Sequence, residues 1–511
     1  MKKIVPIVPM PQKITVCDGV CGNDNPLSWQ EDADLPNEGY IVQITKKGVI
    51  IQASGKAGFF YGQKTLEQLR CIYPNGIPCM KIEDAPAYPY RSFHIDTARH
   101  YFPLDELKRM INAAAAFKLN HFHWHFSDDQ GWRIESMAYP LLHELGAKRD
   151  GDFFGKTKNN RTEHLYYTQE EVKELVHYCD ERHIEIVPEI DIPGHVTAIL
   201  AAYPHLSCTG KQLEVATSAG IFPDILCAGK EDVFAFLFEL LDELCTLFPG
   251  KFFHLGGDET PKTRWNACPD CRQRMAAESL ADSRALQGYL TNRLAAHLRS
   301  RGKRTIVWNE AALGDNLDTD IIIQLWNDDP KDPSLRALSR QKDENGKPTS
   351  PNQGIGSRML RKGHEVLLSN MLSSYCDYPY SYVTLKNIYT WDMIPQKCED
   401  IPKEVLTQVI GGECLCWTEY IRDGVSLERT AWPRYAAKAE ALWTAEGQKN
   451  FKNFKIRLKK LYPFMKELLP GIGYPGSWFP NPIASAKEMM VFASNISGNI
   501  RSEYADAQDE V

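Results

Sequence analysis

Residues 233–260 read VFAFLFELLDELCTLFPGKFFHLGGDET and join one helix to one strand. From Val233 to Phe248 the residues are mostly apolar, but Glu239, Asp242 and Glu243 interrupt them, which suits a helix of a soluble fold. Phe252–Gly256 is then a short apolar run of strand length, and Gly257, Asp258 and Glu259 follow at once. The same strand-then-helix pattern recurs from Tyr90 onward. Expected strands are Arg91–Ala98, His121–Ser127, Glu185–Ile190, Phe252–Gly256, Thr305–Asn309, Ile321–Trp326, Glu365–Leu368 and Val409–Trp417. Between them lie helical patterns at Leu104–Phe117, Gln169–Arg182, Val233–Phe248, Ser283–Arg301 and Gly354–Lys362. Eight strands alternating with helices predict an α/β chain built on a (β/α)8 TIM barrel. A doubly wound sheet needs a Gly-rich phosphate turn after a strand, and none is present.

The flanks read differently. Tyr40–Ile44 and Gly48–Ala53 alternate like two strands, and Ala57–Leu69 carries Phe60, Leu66 and Leu69 at helical spacing. Residues 1–88 are therefore expected to form a small N-terminal α/β domain, ending near the Pro-rich Ala85–Pro89. The barrel would occupy 89–447. Residues 448–511 form a C-terminal helical extension, with an amphipathic helix over Phe451–Leu469 and a polar tail frayed at Ser502–Val511. Asp328–Gln353 is long, polar and without a strong period; such loops are usually functional, and this one would follow the sixth strand over the open face.

Composition excludes several classes. The 511 residues, 43% hydrophobic and 24% charged, suit a soluble chain with a large core. A net charge of −7 argues against nucleic-acid or anionic-membrane partners. No apolar run approaches the ~20 residues that span a bilayer. Met1-Lys2-Lys3 looks like the start of a leader, but Ile4–Met10 is short for its apolar core and contains two prolines. We read no signal peptide, hence a cytoplasmic chain as it stands, periplasmic or secreted where a leader has been removed. Fourteen cysteines are far too few for a disulfide scaffold, although Cys71 and Cys79 flank a turn and could pair in an oxidising compartment. Homodimers are common enough that a monomer is not assumed.

Barrel enzymes place their chemistry where strands end at the C-terminal face. Arg99, Asp128-Asp129, Asp191 with His195, Asp258-Glu259, Trp308 with Glu310, Trp326, and Trp417 with Glu419 all stand at such ends. Tyr375 and Asp377 follow the seventh strand by a few residues. At Asp258-Glu259, two glycines let the backbone turn sharply. Adjacent acids repel, so one is expected to hold its proton nearer neutrality while the other stays ionised. That division suits glycoside cleavage, with one group protonating the leaving oxygen and the other stabilising positive charge at the sugar carbon.

The run His254-Leu255-Gly256-Gly257-Asp258-Glu259 resembles the catalytic signature of family 20 glycoside hydrolases, the β-N-acetylhexosaminidases. Asp96-Thr97-Ala98-Arg99-His100, Lys118-Leu119-Asn120, Asp128–Arg133, Pro188–His195, Trp308-Asn309-Glu310 and Trp417-Thr418-Glu419 match in the same order. The resemblance runs from the N-terminal unit to about residue 447. It implies an exo-acting, retaining mechanism in which the substrate's 2-acetamido group is the nucleophile and an oxazolinium forms. Glu259 would be general acid and then base, Asp258 would orient the acetamido group, and Tyr375 would donate to its oxygen. Trp308, Trp326 and Trp417 would wall in the acetamido methyl and sugar face. Arg99, Asp377 and Glu419 would bind the outer hydroxyls, and Trp391 would meet the leaving-group sugar. Asp191 and His195 would set carboxylate ionisation. No metal or cofactor is implied. The rival readings are a relative releasing a disaccharide or 6-sulfated sugar, a conventional carboxylate nucleophile, and a catalytically silent glycan-binding barrel.

Other features take plainer readings. His121, His123 and His125 alternate on one strand as a metal site might, but the neighbouring Asp128-Asp129 can bond histidines. Cys268-Pro269-Asp270-Cys271 offers two ligands with no second such pair nearby, so it reads as structural or redox-labile rather than as zinc-binding.

Overall fold

Eight parallel strands close into a barrel in the computed structural model, which describes residues 4–154, 157–328, 354–390 and 401–499. In chain order they are Tyr90–Asp96, His121–His125, Glu185–Glu189, Phe252–His254, Arg304–Trp308, Ile322–Leu325, Val366–Leu368 and Val409–Cys414. All eight lie where the sequence predicts them. Seven of the ladders stop one to three residues short of the expected ends, where the backbone leaves the sheet to form the site, and the seventh strand ends at Leu368 as expected. Helices Leu104–Ala116, Gln169–Asp180, Glu231–Leu247, Ser283–Ser300 and Ile355–Lys362 alternate with the strands as expected.

Helix Glu231–Leu247 illustrates what holds the outer layer. It opens on Glu231 and Asp232, which favour the positive end of the helix dipole, and buries Val233, Phe234, Phe236, Leu237, Leu240, Leu241, Leu244 and Leu247. Each such side chain contributes about 1.5–3 kcal/mol on leaving water, largely offset by the conformational entropy lost on folding.

The barrel interior is layered. At the end where the strands begin, Tyr90, Val187, Ile306, Ile322 and Leu367 form an apolar plug. Above it lies a buried polar layer. Glu189 faces His123 at 3.1 Å, His254 at 3.0 Å and Trp308 Nε1 at 2.8 Å, and also bonds His125. Glu413 accepts from His123 Nδ1 at 2.9 Å and from Gln324 at 2.8 Å. Burial disfavours charge on His123 and His125, but the flanking carboxylates win and push them up to about 10 and about 9. Buried charges are tolerated when paired in this way. The layer fixes the Trp308 indole, and with it the floor of the site above.

The N-terminal domain is a five-stranded sheet in the order Lys13–Cys21, Ile77–Asp84, Tyr40–Thr45, Gly48–Ala53, Leu27–Glu31, carrying helix Lys56–Ile72. Only its middle pair and the helix are legible by alternation. The edge strands Lys13–Cys21 and Leu27–Glu31 are largely exposed and carry no core-facing stripe. Val5, Ile7 and Val8 are buried, and the Val8 amide donates to Gln68. Cys71 and Cys79 are both free thiols rather than a pair. A buried ion pair, Lys118–Asp84 at 3.2 Å, joins this domain to the barrel, where Trp443 Nε1 also donates to Asp84.

At the other end the expected helix Phe451–Leu469 is two, Phe451–Lys460 and Tyr462–Leu468, broken at Leu461 by the proline that opens the second. A further helix, Pro482–Asn499, occupies part of the stretch read as polar tail. Ser502–Val511 and nearly all of Asp328–Gln353 lie outside the described residues. A hairpin of Lys148–Phe154 and Thr157–His164 projects after the second barrel strand; its polar alternation gave no strand signal.

Candidate active site

The fourth strand ends at His254, and the chain then turns through Gly256 (φ +63°) and Gly257 (φ +105°). A Cβ on Gly256 would lie 1.8 Å from Asp191 Oδ1, so only glycine lets the two strand ends approach. Gly257 N–H donates to that same oxygen at 3.1 Å. Glu259 then adopts φ +43°, a conformation that costs a side-chain-bearing residue energy and recurs at functional sites. The turn separates the two acids: Asp258 is 9% exposed, whereas the Glu259 side chain keeps 26%. One acid is enclosed, and the other can meet solvent or an incoming sugar.

Their surroundings differ accordingly. Burial, together with the charges of Glu259 and Glu189, pushes Asp258 up to about 6, against the opposing His195 charge and a hydrogen bond from Asp191. Burial and the charge of Asp258 raise Asp191 well above the carboxylate range, which favours one shared proton between the two acids. His195 bridges the second pair. Its Nδ1 lies 3.0 Å from Asp129 and its Nε2 3.4 Å from Glu259. Burial lowers the His195 pKa, yet Asp128, Asp129 and Glu259 outweigh it and hold the imidazolium well above its ordinary value. Asp129 is itself fixed by the Thr197 N–H at 3.0 Å and hydroxyl at 2.5 Å.

Glu310 was not assigned a role from sequence. The Glu259 amide donates to it at 2.5 Å and Asn327 Nδ2 at 3.1 Å. Burial and the charges of Glu259 and Asp258 push it up to about 7. Its signal was its place directly after Trp308-Asn309 at a strand end; its closeness to Glu259 comes from barrel closure, which no local pattern reports.

Aromatic rings from the later strands gather at the same end of the barrel. Trp308, Trp326, Met371, Tyr375 and Leu415 form one buried cluster, with Trp417 packed against it. Trp308 and Trp417 centroids are 6.1 Å apart, Trp326 and Tyr375 6.2 Å, and Tyr375 and Trp417 6.4 Å. Tyr375 is positioned by a bridge to Leu415, which extends the pairing of the last two strands beyond their ladder. The charge of Asp258 contributes to raising the Tyr375 phenol well above its usual value, after burial, so the two groups share one enclosure. Three polar atoms at these strand ends have no protein partner among the described residues: Asp258 Oδ1, Trp326 Nε1 and Asp377 Oδ1. Buried polar atoms left open in this way suit a polar ligand.

On the rim, Arg99 bonds Asp128 at 2.7 Å, Asp96 at 3.3 Å and Gln130 at 2.9 Å, with its guanidinium 5.0 Å from the Trp417 ring centroid. Burial, then the charge of Glu419, push Asp377 up to about 8, while Arg99 opposes the burial-driven rise of Glu419. Arg99, Asp377 and Glu419 therefore form one electrostatic group beside the aromatic box. Every predicted site residue converges here except Trp391, which lies outside the described residues. His123 and His125 instead belong to the polar layer beneath. A separate cleft of about 870 Å³, lined by Glu38, His177, Glu185 and Gly250 among others, lies at the opposite, strand-start end, away from these acids.

The catalytic-domain profile of glycosyl hydrolase family 20 matches residues 88–344 and 349–446, and the profile of that family's domain 2 matches residues 10–85. The chain belongs to glycosyl hydrolase family 20. The Porphyromonas gingivalis β-hexosaminidase is 35% identical over 83% of this chain, which spans 53% of that longer protein. The Akkermansia muciniphila β-hexosaminidase is 30% identical over 88% of both. A solved β-N-acetylhexosaminidase from Bacteroides fragilis superposes with a TM-score of 0.77 at 28% identity, covering 93% of this chain and 99% of that one. The family 20 match thus covers both the N-terminal sheet domain and the barrel that carries the acids.

Proposed function

We propose that this family 20 β-hexosaminidase removes terminal β-linked N-acetylhexosamine, GlcNAc or GalNAc, by an exo-acting, retaining, substrate-assisted mechanism. The observation that carries the reading is the buried Asp258 carboxylate, with one oxygen unpartnered and its charge felt by the Tyr375 phenol of the aromatic cluster, beside the more exposed Glu259. Asp258 is too enclosed to protonate a departing alcohol, but it suits a group that must accept an amide N–H.

The substrate's acetamido group enters the box formed by Trp308, Trp326 and Trp417. Asp258 accepts its N–H, and the Tyr375 hydroxyl donates to its carbonyl oxygen. The carbonyl oxygen then attacks the anomeric carbon as Glu259 gives its proton to the leaving oxygen, and an oxazolinium forms. Proximity supplies much of the rate, because an internal nucleophile held near its target has a large effective molarity. The negative charge of Asp258 stabilises the cation in a site with little water. Glu259 next takes a proton from water as it attacks the same carbon, so the anomeric configuration is retained. His195 flanks the Glu259 carboxylate and can take part in this proton traffic, while Glu310 holds the Glu259 main-chain N–H. Arg99, which keeps N–H donors beyond its three bonds, binds the outer hydroxyls of the terminal sugar with Asp377 and Glu419.

Hydrolysis of the nitrophenyl β-glycosides of GlcNAc, GalNAc, glucose and galactose tests the reading. The two acetamido sugars are expected to be cleaved and the plain hexosides to be slower by at least about 1000-fold, the scale lost with an intramolecular nucleophile. Comparable rates on the plain hexosides would rule out acetamido participation.

A further inference from the structure

Four cysteines from two separate loops meet on the outside of the barrel. Cys208 follows the short turn Pro204–Leu206, Cys227 precedes helix Glu231–Leu247, and Cys268 and Cys271 open helix Pro269–Ala277. One sulfur from each lies within 4.8 Å of the other three. The closest separations are 3.5 Å for Cys227–Cys271 and 3.8 Å for both Cys227–Cys268 and Cys208–Cys271. Four thiolates around zinc at about 2.3 Å are tetrahedral, which puts neighbouring sulfurs about 3.8 Å apart. A disulfide would bring each pair to about 2.05 Å. Cys268-Pro269-Asp270-Cys271 therefore has a second ligand pair, Cys208 and Cys227, which comes from the connection after the third barrel strand.

The surroundings suit a metal–thiolate group. Cys227, Cys268 and Cys271 are buried and Cys208 is half-buried. A Cβ on Gly229 would lie 2.2 Å from the Asp270 carbonyl carbon, so this glycine lets the two loops touch. Trp265 Nε1 donates to the Leu226 carbonyl at 2.8 Å, and Lys230 Nζ to the Ser207 carbonyl at 2.7 Å. Both sulfur-bearing loops are thus held in place by bonds that do not involve the sulfurs.

We propose that Cys208, Cys227, Cys268 and Cys271 form a closed four-thiolate zinc site that ties the loop after the third barrel strand to the segment following the catalytic acids. With four protein ligands and no open position it is structural. Helix Thr263–Ala267 is all that separates Cys268 from the Asp258–Thr260 turn and its flanking residues. The site braces that segment from behind while touching no substrate.

The test uses the full chain, purified without metal-affinity resin from cells supplied with zinc. Elemental analysis is expected to give about one zinc per chain. The Cys268→Ser/Cys271→Ser double variant should lose it, and a Cys17→Ser variant, at an exposed cysteine outside the cluster, should keep it. If the double variant does not fold, stepwise mercurial titration of the wild type still decides, because zinc release should track modification of four thiols. Chelated wild type should unfold several degrees lower and recover on zinc addition. Iron in place of zinc, less than about 0.1 metal per chain, or an intact mass lowered by the hydrogens lost to two disulfides would each overturn the proposal.

Discussion

Glu259→Gln is expected to lower kcat/KM for an unactivated GlcNAc glycoside by roughly 100- to 10,000-fold, the range that general acid–base catalysis supplies. Glutamine keeps the shape of the side chain and cannot give a proton to the leaving oxygen. The loss should depend on the leaving group. A dinitrophenolate leaves without protonation, so its release in the first step should be much less affected than that of a sugar alcohol. The exposure of Glu259 and its contact with His195 both support a proton-carrying role. A uniform loss across leaving groups would mean that Glu259 positions the substrate and does not transfer a proton.

Asp258→Asn should cost roughly 100- to 1000-fold in kcat, the scale of removing one preorganised electrostatic contact at a developing charge. Here the loss should not depend on the leaving group, because attack by the acetamido oxygen is impaired for all of them. The wild-type pH profile carries the matching signature. Burial lifts Asp258 to about 6, and its ionised form is the active one, so kcat/KM should fall as pH drops through that value. In the asparagine variant that limb should disappear. The variant should be at least as heat-stable as wild type near neutral pH, since it removes a buried charge whose Oδ1 has no protein partner. Equal losses with a retained limb near pH 6 would assign the ionisation to another group, and Glu310, pushed up to about 7, would be the first to test.

What was legible in the sequence follows from where the physics is local. A barrel strand buried on both faces is a short apolar run between helices, so all eight could be placed. The exposed edge strands Lys13–Cys21 and Leu27–Glu31 bury little, and so left no pattern to read. At the site, Asp258, Glu259, Trp308, Trp326 and Trp417 could be singled out because they stand at strand ends, several of them within motifs that resemble the family's. The His195–Asp129 contact, the Glu310 carboxylate under the Glu259 amide and the Glu189 layer beneath Trp308 were not, since each joins different strands. The cysteine cluster shows the same limit. Cys268-Pro269-Asp270-Cys271 was visible as a pair, but Cys208 and Cys227 join it only through tertiary folding.

The central claim is that the nucleophile belongs to the substrate. Replacing the acetamido methyl by mono-, di- and trifluoromethyl tests it most directly, because each fluorine weakens the carbonyl oxygen as a nucleophile while the amide itself stays in place. If the carbonyl attacks, kcat/KM should fall steeply and monotonically along the series, by roughly 1000-fold or more overall, the range of effective molarity at stake. A flat series would contradict the account and place the nucleophile on the protein.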